Sequence, residues 1–180
     1  MDRPHSRGTH IPQLFVFIAE AYWDLEGELL RQGFGYCYDK RLYDRLEHGD
    51  VELVRQHLLA EPGYQRRLVR FLENHDERRA AAAFPADKHR AVAVAVLSLP
   101  GAKLLHEGQF QGRRTRVPVF LRRRPEEAPD LDHFYHDLLR QTAQEPFQTG
   151  EWSLCECSGW PDNMSCRNVL AWCWKRGSSR

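Results

Sequence analysis

Arg70-Phe71-Leu72-Glu73-Asn74-His75-Asp76 begins as a short apolar strand pattern and ends in amide, imidazole and carboxylate groups. An apolar strand that stops at such a cluster is typical of the mouth of a parallel barrel, where the strand ends carry the chemistry. A second stretch of this kind lies upstream, where the apolar run 15–19 leads to Glu20 and two aromatic residues. The two stretches predict an α/β protein with a polar site at one edge of its strands.

Strand and helix patterns alternate four times along residues 1–145. Besides the two stretches above, short apolar runs predict strands at 34–38 and 102–105. Each strand is followed by a predicted helix with one apolar face, at about 24–33, 42–58, 87–97 and 130–139. Three acidic residues are expected to cap these helices through their side chains: Asp24, Asp50 and Asp130. The alternation predicts a parallel sheet with crossover helices.

Residues 146–180 have a different pattern. The segments Glu151–Cys157 and Val169–Trp174 alternate between apolar and polar residues and are separated by turn residues, which predicts antiparallel strands. We therefore divide the chain into a strand–helix domain at 1–145 and the beginning of a carboxyl-terminal β domain of the sandwich type at 146–180.

Two carboxylates, Glu20 and Asp76, stand at the ends of separate predicted strands beside Tyr22 and Trp23. Glycoside hydrolysis requires a pair of carboxylates, and aromatic rings can pack on the apolar faces of sugars. Taken singly, these residues have plainer interpretations, because the acidic groups could cap the helices that follow and the rings could belong to a core. The residues alone suggest carbohydrate chemistry and leave these structural roles open.

The same stretches resemble motifs of one enzyme family. Phe17-Ile-Ala-Glu-Ala-Tyr-Trp23 is similar to the fifth-strand motif of glycoside hydrolase family 13, the α-amylase family, and Phe71-Leu-Glu-Asn-His-Asp76 is similar to its seventh-strand motif. The resemblance extends through 33–44 and 100–109 and covers most of residues 14–145. It implies a partial (β/α)8 TIM barrel, comprising about strands five to eight with their helices, from a retaining hydrolase that acts on α-glucosidic bonds.

The resemblance also implies roles for individual residues. Glu20 matches the general acid/base of the family, and Asp76 matches the carboxylate that stabilises the transition state. The expected substrate is an α-glucan or maltooligosaccharide. Four residues are expected to contact it: His75, Tyr22, Trp23 and Asn74.

Two motifs of the family are absent from the 180 residues. They are the Gly-Phe-Arg-x-Asp stretch that carries the nucleophile on the fourth strand and the Asp-x-x-x-Asn-His stretch of the third. A complete barrel of this kind takes about 250 residues. We therefore expect a truncated chain that is inactive alone and pairs with a missing amino-terminal half. If the chain nevertheless turned over substrate, Asp39 would be the first candidate nucleophile. The alternative is a non-enzymatic protein that binds sugar weakly or assembles with a partner.

Composition is that of a soluble globular protein, with 42% hydrophobic residues, 28% charged residues and a formal net charge of +1. A nearly balanced charge gives no overall attraction to nucleic acid or membranes, so neither partner is expected. The arginines between 113 and 124 are interpreted as a solvated loop with contacts to acidic neighbours. There is no apolar run of about 18 residues and no signal-peptide pattern, which predicts a cytoplasmic location.

Four of the five cysteines fall between residues 155 and 173, which raises the question of a zinc site. Structural zinc sites use cysteine pairs separated by two to four residues, whereas a single residue separates Cys155 from Cys157. On a strand these two side chains share a face and would pack as small apolar groups. We predict reduced thiols, no metal and no other cofactor.

Overall fold

The computed structural model describes residues 15–22, 24–49, 51–118, 120–122 and 129–176 of the chain. Within these ranges four short strands form a parallel sheet in the order β1-β2-β3-β4, and two more form an antiparallel hairpin. The strands are β1 Ile18–Ala19, β2 Tyr36–Tyr38, β3 Leu68–Arg70, β4 Ala102–Lys103, β5 Glu151–Leu154 and β6 Trp172–Lys175. The predicted α/β class and the antiparallel tail are confirmed, although most strands are shorter than the apolar runs suggested.

The described residues contain eight α-helices: α1 Glu26–Arg31, α2 Lys40–His48, α3 Val51–Leu58, α4 Pro62–Arg66, α5 Ala80–Ala83, α6 Ala86–Ser98, α7 Pro129–Thr142 and α8 Glu145–Thr149. The four predicted helical regions are present. Helices α4, α5 and α8 were not predicted, because four or five residues are too few to show a helical period. None of these helices has the length and apolar character that crossing a membrane demands.

The predicted cap at Asp24 is wrong. Helix α1 begins after Leu25, without a side-chain cap, and the backbone of Asp24 adopts a left-handed conformation with φ of 69°. The Asp24 carboxylate forms an ion pair with Arg41 of helix α2 instead. A contact between two elements has therefore replaced the local cap. Asp50 and the side chain of Asp130 lie outside the described residues, so their capping stays a prediction.

The core lies between the sheet and the helices packed on it. Tyr43 of α2 stacks on Phe71 just beyond β3, with ring centroids 5.6 Å apart, and Phe84 meets Tyr43 edge to face at 6.3 Å. Val96 of α6 is fully buried in the same cluster. Burying such rings and aliphatic side chains contributes about 1.5–3 kcal/mol each, which holds the helices against the strands.

The strand register places the polar strand ends at one edge of the sheet. Ile18 pairs with Tyr36, Cys37 with Leu68, and Val69 with Ala102, all in parallel orientation. Residues that follow the strands, including Glu20, the segment 73–77 and His106, consequently emerge on the same side. This edge carries the candidate site, as the sequence pattern predicted.

The β5–β6 hairpin packs against the end of helix α6. The indole Nε1 of Trp172 donates to Ser98 Oγ at 3.2 Å, and that of Trp174 donates to the Ser98 carbonyl at 2.7 Å. Trp152 and Leu154 extend the same apolar contact. The hairpin and the helical layer thus share one packed surface, while the division at residue 145 stays a prediction.

We expect the isolated chain to self-associate. Among the described residues β1 pairs only with β2 and β4 only with β3, and the side chains from Phe15 to Ile18 beside β1 are 53–72% exposed. Unpaired strand edges with exposed apolar residues are templates for association. Sedimentation velocity should show oligomers, and Phe15→Lys should reduce them while Phe120→Lys, which changes an equally exposed ring in a loop, should not. A strict monomer with a sharp cooperative melt would contradict this expectation.

Candidate functional site

The carboxyl ends of the parallel strands bring three of the predicted site residues together. Glu20 follows β1, and His75 and Asp76 lie in the loop after β3. His75 Nε2 lies 3.9 Å from Glu20 Oε1 and 3.5 Å from Asp76 Oδ2. The exposed fraction is 37% for the Glu20 side chain, 56% for His75 and 55% for Asp76. A ligand in solvent can therefore contact all three groups.

Tyr22 lies directly against this cluster. Its hydroxyl donates a hydrogen bond to Glu20 Oε1 at 2.8 Å. Burial raises the pKa of the Tyr22 phenol, and the hydrogen bond to Glu20 and the charges of Glu20, Asp76 and Glu77 raise it further. The phenol therefore keeps its proton and holds one oxygen of Glu20 in place. Trp23, the other predicted aromatic contact, lies outside the described residues.

Asn74 has a supporting position beneath the cluster. Its side chain is only 1% exposed, and Oδ1 accepts hydrogen bonds from the backbone N–H groups of Asp76 at 2.9 Å and Glu77 at 2.8 Å. Such an Asx turn fixes the path of the loop and hence the direction of Asp76. The Oδ1 of Asn74 is used by these hydrogen bonds, and its Nδ2 is buried without a hydrogen-bond partner among the described residues. The predicted contact of Asn74 with substrate stays a prediction.

Two arginines of the basic loop contact acidic residues near the site, as the sequence predicted. Arg116 Nη1 donates to the Asp76 carbonyl at 2.7 Å, and its Nη2 lies 3.8 Å from Asp76 Oδ1. Arg113 Nη1 donates to Glu107 Oε2 at 2.6 Å. The loop thus covers one side of the cluster and contributes positive charge beside Asp76.

Asp39 has a structural position that rules it out as an accessible nucleophile here. Its side chain is 3% exposed, lies 3.0 Å from His57 Nε2 and accepts from Arg70 Nε at 3.2 Å. It also caps α2 by accepting from the Leu42 N–H. Burial opposes ionisation, but the hydrogen bond and charge of His57, the charge of Arg70 and the Leu42 N–H together hold the pKa of Asp39 below its usual value.

Sequence reasoning missed a buried polar cluster next to the site. Glu73 and Arg79, which are 1% and 5% exposed, lie 3.0 Å apart between Oε1 and Nη2. Burial raises the pKa of Glu73 to about 7, against the lowering effects of the Ala80 N–H and of Arg79. Arg79 also reaches His106, which follows β4. The sequence signal was the position of Glu73 inside the first quoted stretch, but nothing there indicated burial or a partner.

The exposed cluster combines three kinds of chemistry. Glu20 can give or take a proton, Asp76 can stabilise positive charge, and His75 can form hydrogen bonds with hydroxyl groups. The ligand atoms of these three residues lie within 4.8 Å of one another, so they are also the described group that could hold a metal ion. Exposed acidic groups commonly gather without an ion, and the absence of a metal stays a prediction.

The fold is similar to that of solved α-amylases over nine-tenths of the chain. The noncanonic maltogenic α-amylase AmyB from Thermotoga neapolitana matches with a TM-score of 0.72 at 20% identity, over 90% of this chain and 39% of that one. The α-amylase from H. orenii matches with a TM-score of 0.68 at 19% identity, over 91% of this chain and 41% of that one. The resemblance to the α-amylase family is confirmed at the level of fold.

A third match is the cyclic α-maltosyl-(1→6)-maltose hydrolase from Arthrobacter globiformis, with a TM-score of 0.65 at 15% identity, over 78% of this chain and 36% of that one. The chain thus spans about two fifths of the length of the enzymes it matches. No family model and no curated protein sequence matches it.

Proposed function

We propose that this chain supplies the general acid/base and the transition-state stabiliser of an α-amylase-like retaining glycoside hydrolase acting on α-glucosidic bonds. The observation that carries the proposal is that His75 lies within 4 Å of both Glu20 and Asp76 at the carboxyl edge of a parallel sheet, with the ligand atoms of all three within 4.8 Å of one another. In this assignment β1 to β4 correspond to strands five to eight of a TIM barrel, residues 1–145 belong to that barrel, and 146–180 begin a β domain.

Glu20 would protonate the glycosidic oxygen of an α-glucan as the bond to the anomeric carbon breaks. Tyr22 supports this role, because its hydroxyl holds Glu20 Oε1 and leaves Oε2 to face the leaving group. His75 and Asp76 would bind neighbouring hydroxyls of the sugar ring. The charge of Asp76 would stabilise the oxocarbenium-like transition state, in which positive charge develops near the ring oxygen.

Retention requires a second carboxylate about 5 Å from the acid/base. This second carboxylate attacks the anomeric carbon and forms a covalent glycosyl-enzyme, which water then hydrolyses to release the sugar. The family's nucleophile motif does not occur in this sequence. The proposal therefore assigns the nucleophile to a complementary half barrel whose strands pair with the free edges of β1 and β4. That partner closes the barrel and brings its carboxylate toward Glu20.

We expect the chain alone to show no turnover of starch or an activated maltoside above background, because without the nucleophile the covalent intermediate cannot form. Co-production with the amino-terminal half of a family 13 α-amylase, which carries the Gly-Phe-Arg-x-Asp strand, should restore cleavage. Proton NMR of the first-released anomer should show retained α-configuration. The matched control is the same half with that Asp changed to Asn.

An inverted first product, or equal turnover with and without the added half, would show that the roles are assigned wrongly. Binding of maltooligosaccharide without turnover in any combination would instead favour the alternative, a non-enzymatic sugar-binding protein.

A further inference from the structure

We propose that His106 is a further sugar-binding residue, a neutral imidazole that Arg79 holds in one tautomer so that Nε2–H donates to a substrate hydroxyl beside His75. The inference rests on the proposed function of the same site and adds a residue and a hydrogen-bond direction to it. It concerns β4, the last strand of the sheet, which contributes none of the residues discussed as catalytic.

His106 is placed at the right edge of the sheet. It follows β4, next to the loop after β3 that carries His75. The two side chains are close enough that a positive charge on His75 lowers the pKa of His106. Its side chain is 31% exposed, whereas its partners Glu73 and Arg79 are almost fully buried. The ring is therefore half-buried, with Nδ1 toward Arg79.

The contact with Arg79 determines the tautomer. Arg79 Nη1 lies 2.8 Å from His106 Nδ1, and a guanidinium group has only N–H donors and does not lose its proton. Glu73 Oε1 lies 3.5 Å from the same Nδ1, but the shorter contact with the Arg79 donor makes Nδ1 an acceptor, so the ring proton resides on Nε2. Burial and the charge of Arg79 both lower the pKa of His106, which keeps the ring neutral. Nε2–H thus points away from Arg79 as a donor of fixed direction.

Arg79 is itself held on three sides. Its Nη2 donates to the Glu107 carbonyl at 2.7 Å and lies 3.0 Å from Glu73 Oε1. The other oxygen of Glu73 accepts from the Ala80 N–H at 2.6 Å, at the start of helix α5. Gly108 leaves space for both neighbouring arginines, since a Cβ at that position would lie 2.4 Å from Arg113 Cδ and 2.6 Å from Arg79 Nη2. The Glu73 carboxylate and the Glu107 carbonyl thus hold the Arg79 guanidinium in place, and Arg79 in turn positions the His106 ring.

A donor of this kind complements the rest of the site. The exposed carboxylates of Glu20 and Asp76 are acceptors, and a sugar hydroxyl that donates to one of them still has lone pairs to satisfy. A fixed imidazole N–H on the neighbouring strand end can satisfy one pair and select the orientation of that hydroxyl. The chemical class of ligand is a saccharide with free hydroxyls on adjacent carbons, such as a maltooligosaccharide.

The test uses the full chain labelled with 15N at its histidines, and maltotriose as the probe. Before ligand is added, nitrogen NMR should show His106 Nδ1 unprotonated and Nε2 protonated. On titration the Nε2 signal should move with the same saturation curve as the signals of His75. A protonated Nδ1, or an Nε2 signal that does not respond while His75 does, would overturn the inference.

Variants separate binding from structure. His106→Ala should weaken maltotriose binding by about 10-fold, the order expected for one hydrogen bond, whereas His106→Gln should retain most of it. Glutamine can accept from Arg79 with Oε1 and donate to the ligand with Nε2, so it keeps both contacts; the response of the His106 Nε2 signal to maltotriose is the readout that a purely structural role would not move. Arg79→Met should remove the contact at Nδ1 and give mixed tautomers and weaker binding. Arg31→Met, which changes an exposed arginine of α1, is the matched control and should leave the His106 tautomer and maltotriose binding unchanged.

The outcomes distinguish this inference from the proposed function. Normal binding by His106→Ala overturns the inference and leaves the roles of Glu20 and Asp76 untouched. Loss of binding in His106→Ala with full turnover in a complemented Glu20→Gln enzyme supports the inference and removes the proposed catalytic role. Absence of maltotriose binding by the unmodified chain would overturn the inference, whereas the proposed function would still be decided by turnover of the complemented enzyme.

Discussion

Glu20→Gln is expected to lower kcat of the complemented enzyme by about 10²- to 10⁴-fold on an unactivated maltooligosaccharide, the usual contribution of general acid–base catalysis. The amide keeps the shape of the side chain and can still accept the hydrogen bond from Tyr22, but it has no proton to give to the leaving oxygen. The measurement is steady-state hydrolysis of maltotriose by the co-produced halves. KM should change far less than kcat, because the substrate-binding groups remain.

The leaving group provides the sharper test of this role. The fluoride of α-maltosyl fluoride departs with little protonation. With this substrate the rate of the first step in Glu20→Gln should therefore approach the rate in the unmodified enzyme. Glu28→Gln is the matched control, because Glu28 is an exposed carboxylate on the neighbouring helix α1 that pairs with Arg31. An equal loss on both substrates would argue for a structural effect, and full activity on maltotriose would refute the assignment.

Asp76→Asn in the same assay should lower kcat on both substrates alike. The stabilising charge acts on the sugar ring and not on the leaving group, so an activated leaving group offers no rescue. This contrast with Glu20→Gln distinguishes the two carboxylates experimentally. If Asp76→Asn were as active as the unmodified enzyme, the carboxylate that stabilises the transition state would be another residue.

Arg70→Met is expected to destabilise the chain by about 3–5 kcal/mol, the cost of removing one partner from a buried ion pair. Arg70 is fully buried and donates to Asp39 Oδ2 at 3.2 Å, to the Pro100 carbonyl at 2.5 Å and to Gln65 Oε1. Methionine fills part of the volume but removes the buried guanidinium, so the Asp39 carboxylate keeps only His57 and the Leu42 N–H as partners among the described residues. The free energy of unfolding, measured by urea denaturation, should fall by a large fraction of a typical domain stability.

Two controls locate the cause of that loss. Arg31→Met breaks an ion pair with Glu28 that is exposed and screened by solvent, so it should leave the free energy of unfolding nearly unchanged. The double change Arg70→Met with Asp39→Leu removes both buried charges and should recover part of the lost stability. A single variant Arg70→Met as stable as the unmodified chain would show that Asp39 finds other partners.

The pH dependence of this pair has a definite sign. The folded state holds the pKa of Asp39 below its usual value, so the stabilisation is present above the ordinary carboxyl pKa of about 3.9. It is lost as the pH falls further, through the lowered pKa of the folded state. Asp39→Asn should therefore flatten the acid limb of a stability profile.

Local sequence was sufficient for the order of the strands and the longer helices, but not for the short helices α4, α5 and α8. Apolar runs that stop at polar clusters predicted β1 and β3, and the alternating tail predicted β5 and β6, because side-chain period follows directly from backbone geometry. Helix α6 was predicted within one residue at each end, as 87–97 against Ala86–Ser98. The joint appearance of Glu20 and the segment 74–76 at such ends also predicted that they would meet, since parallel strands end at one edge.

Tertiary structure decided what each polar side chain does there. Asp24 and Asp39 carry the same carboxylate after similar apolar runs, yet Asp24 pairs with Arg41 on the surface while Asp39 is buried against Arg70 and caps α2. No local pattern distinguishes them, because the partner in each case comes from a different element and its position depends on strand register and helix packing.

The same reason explains the Glu73–Arg79–His106 cluster. Its members come from the end of β3, the loop before α5 and the end of β4, and only the parallel pairing of Val69 with Ala102 brings them within hydrogen-bond distance. By itself the sequence determined the strands, the longer helices and the edge that carries chemistry, because those follow from short-range periodicity. The burial, pairing and tautomer of each group were decided by the tertiary structure, because they depend on atoms that are distant along the chain.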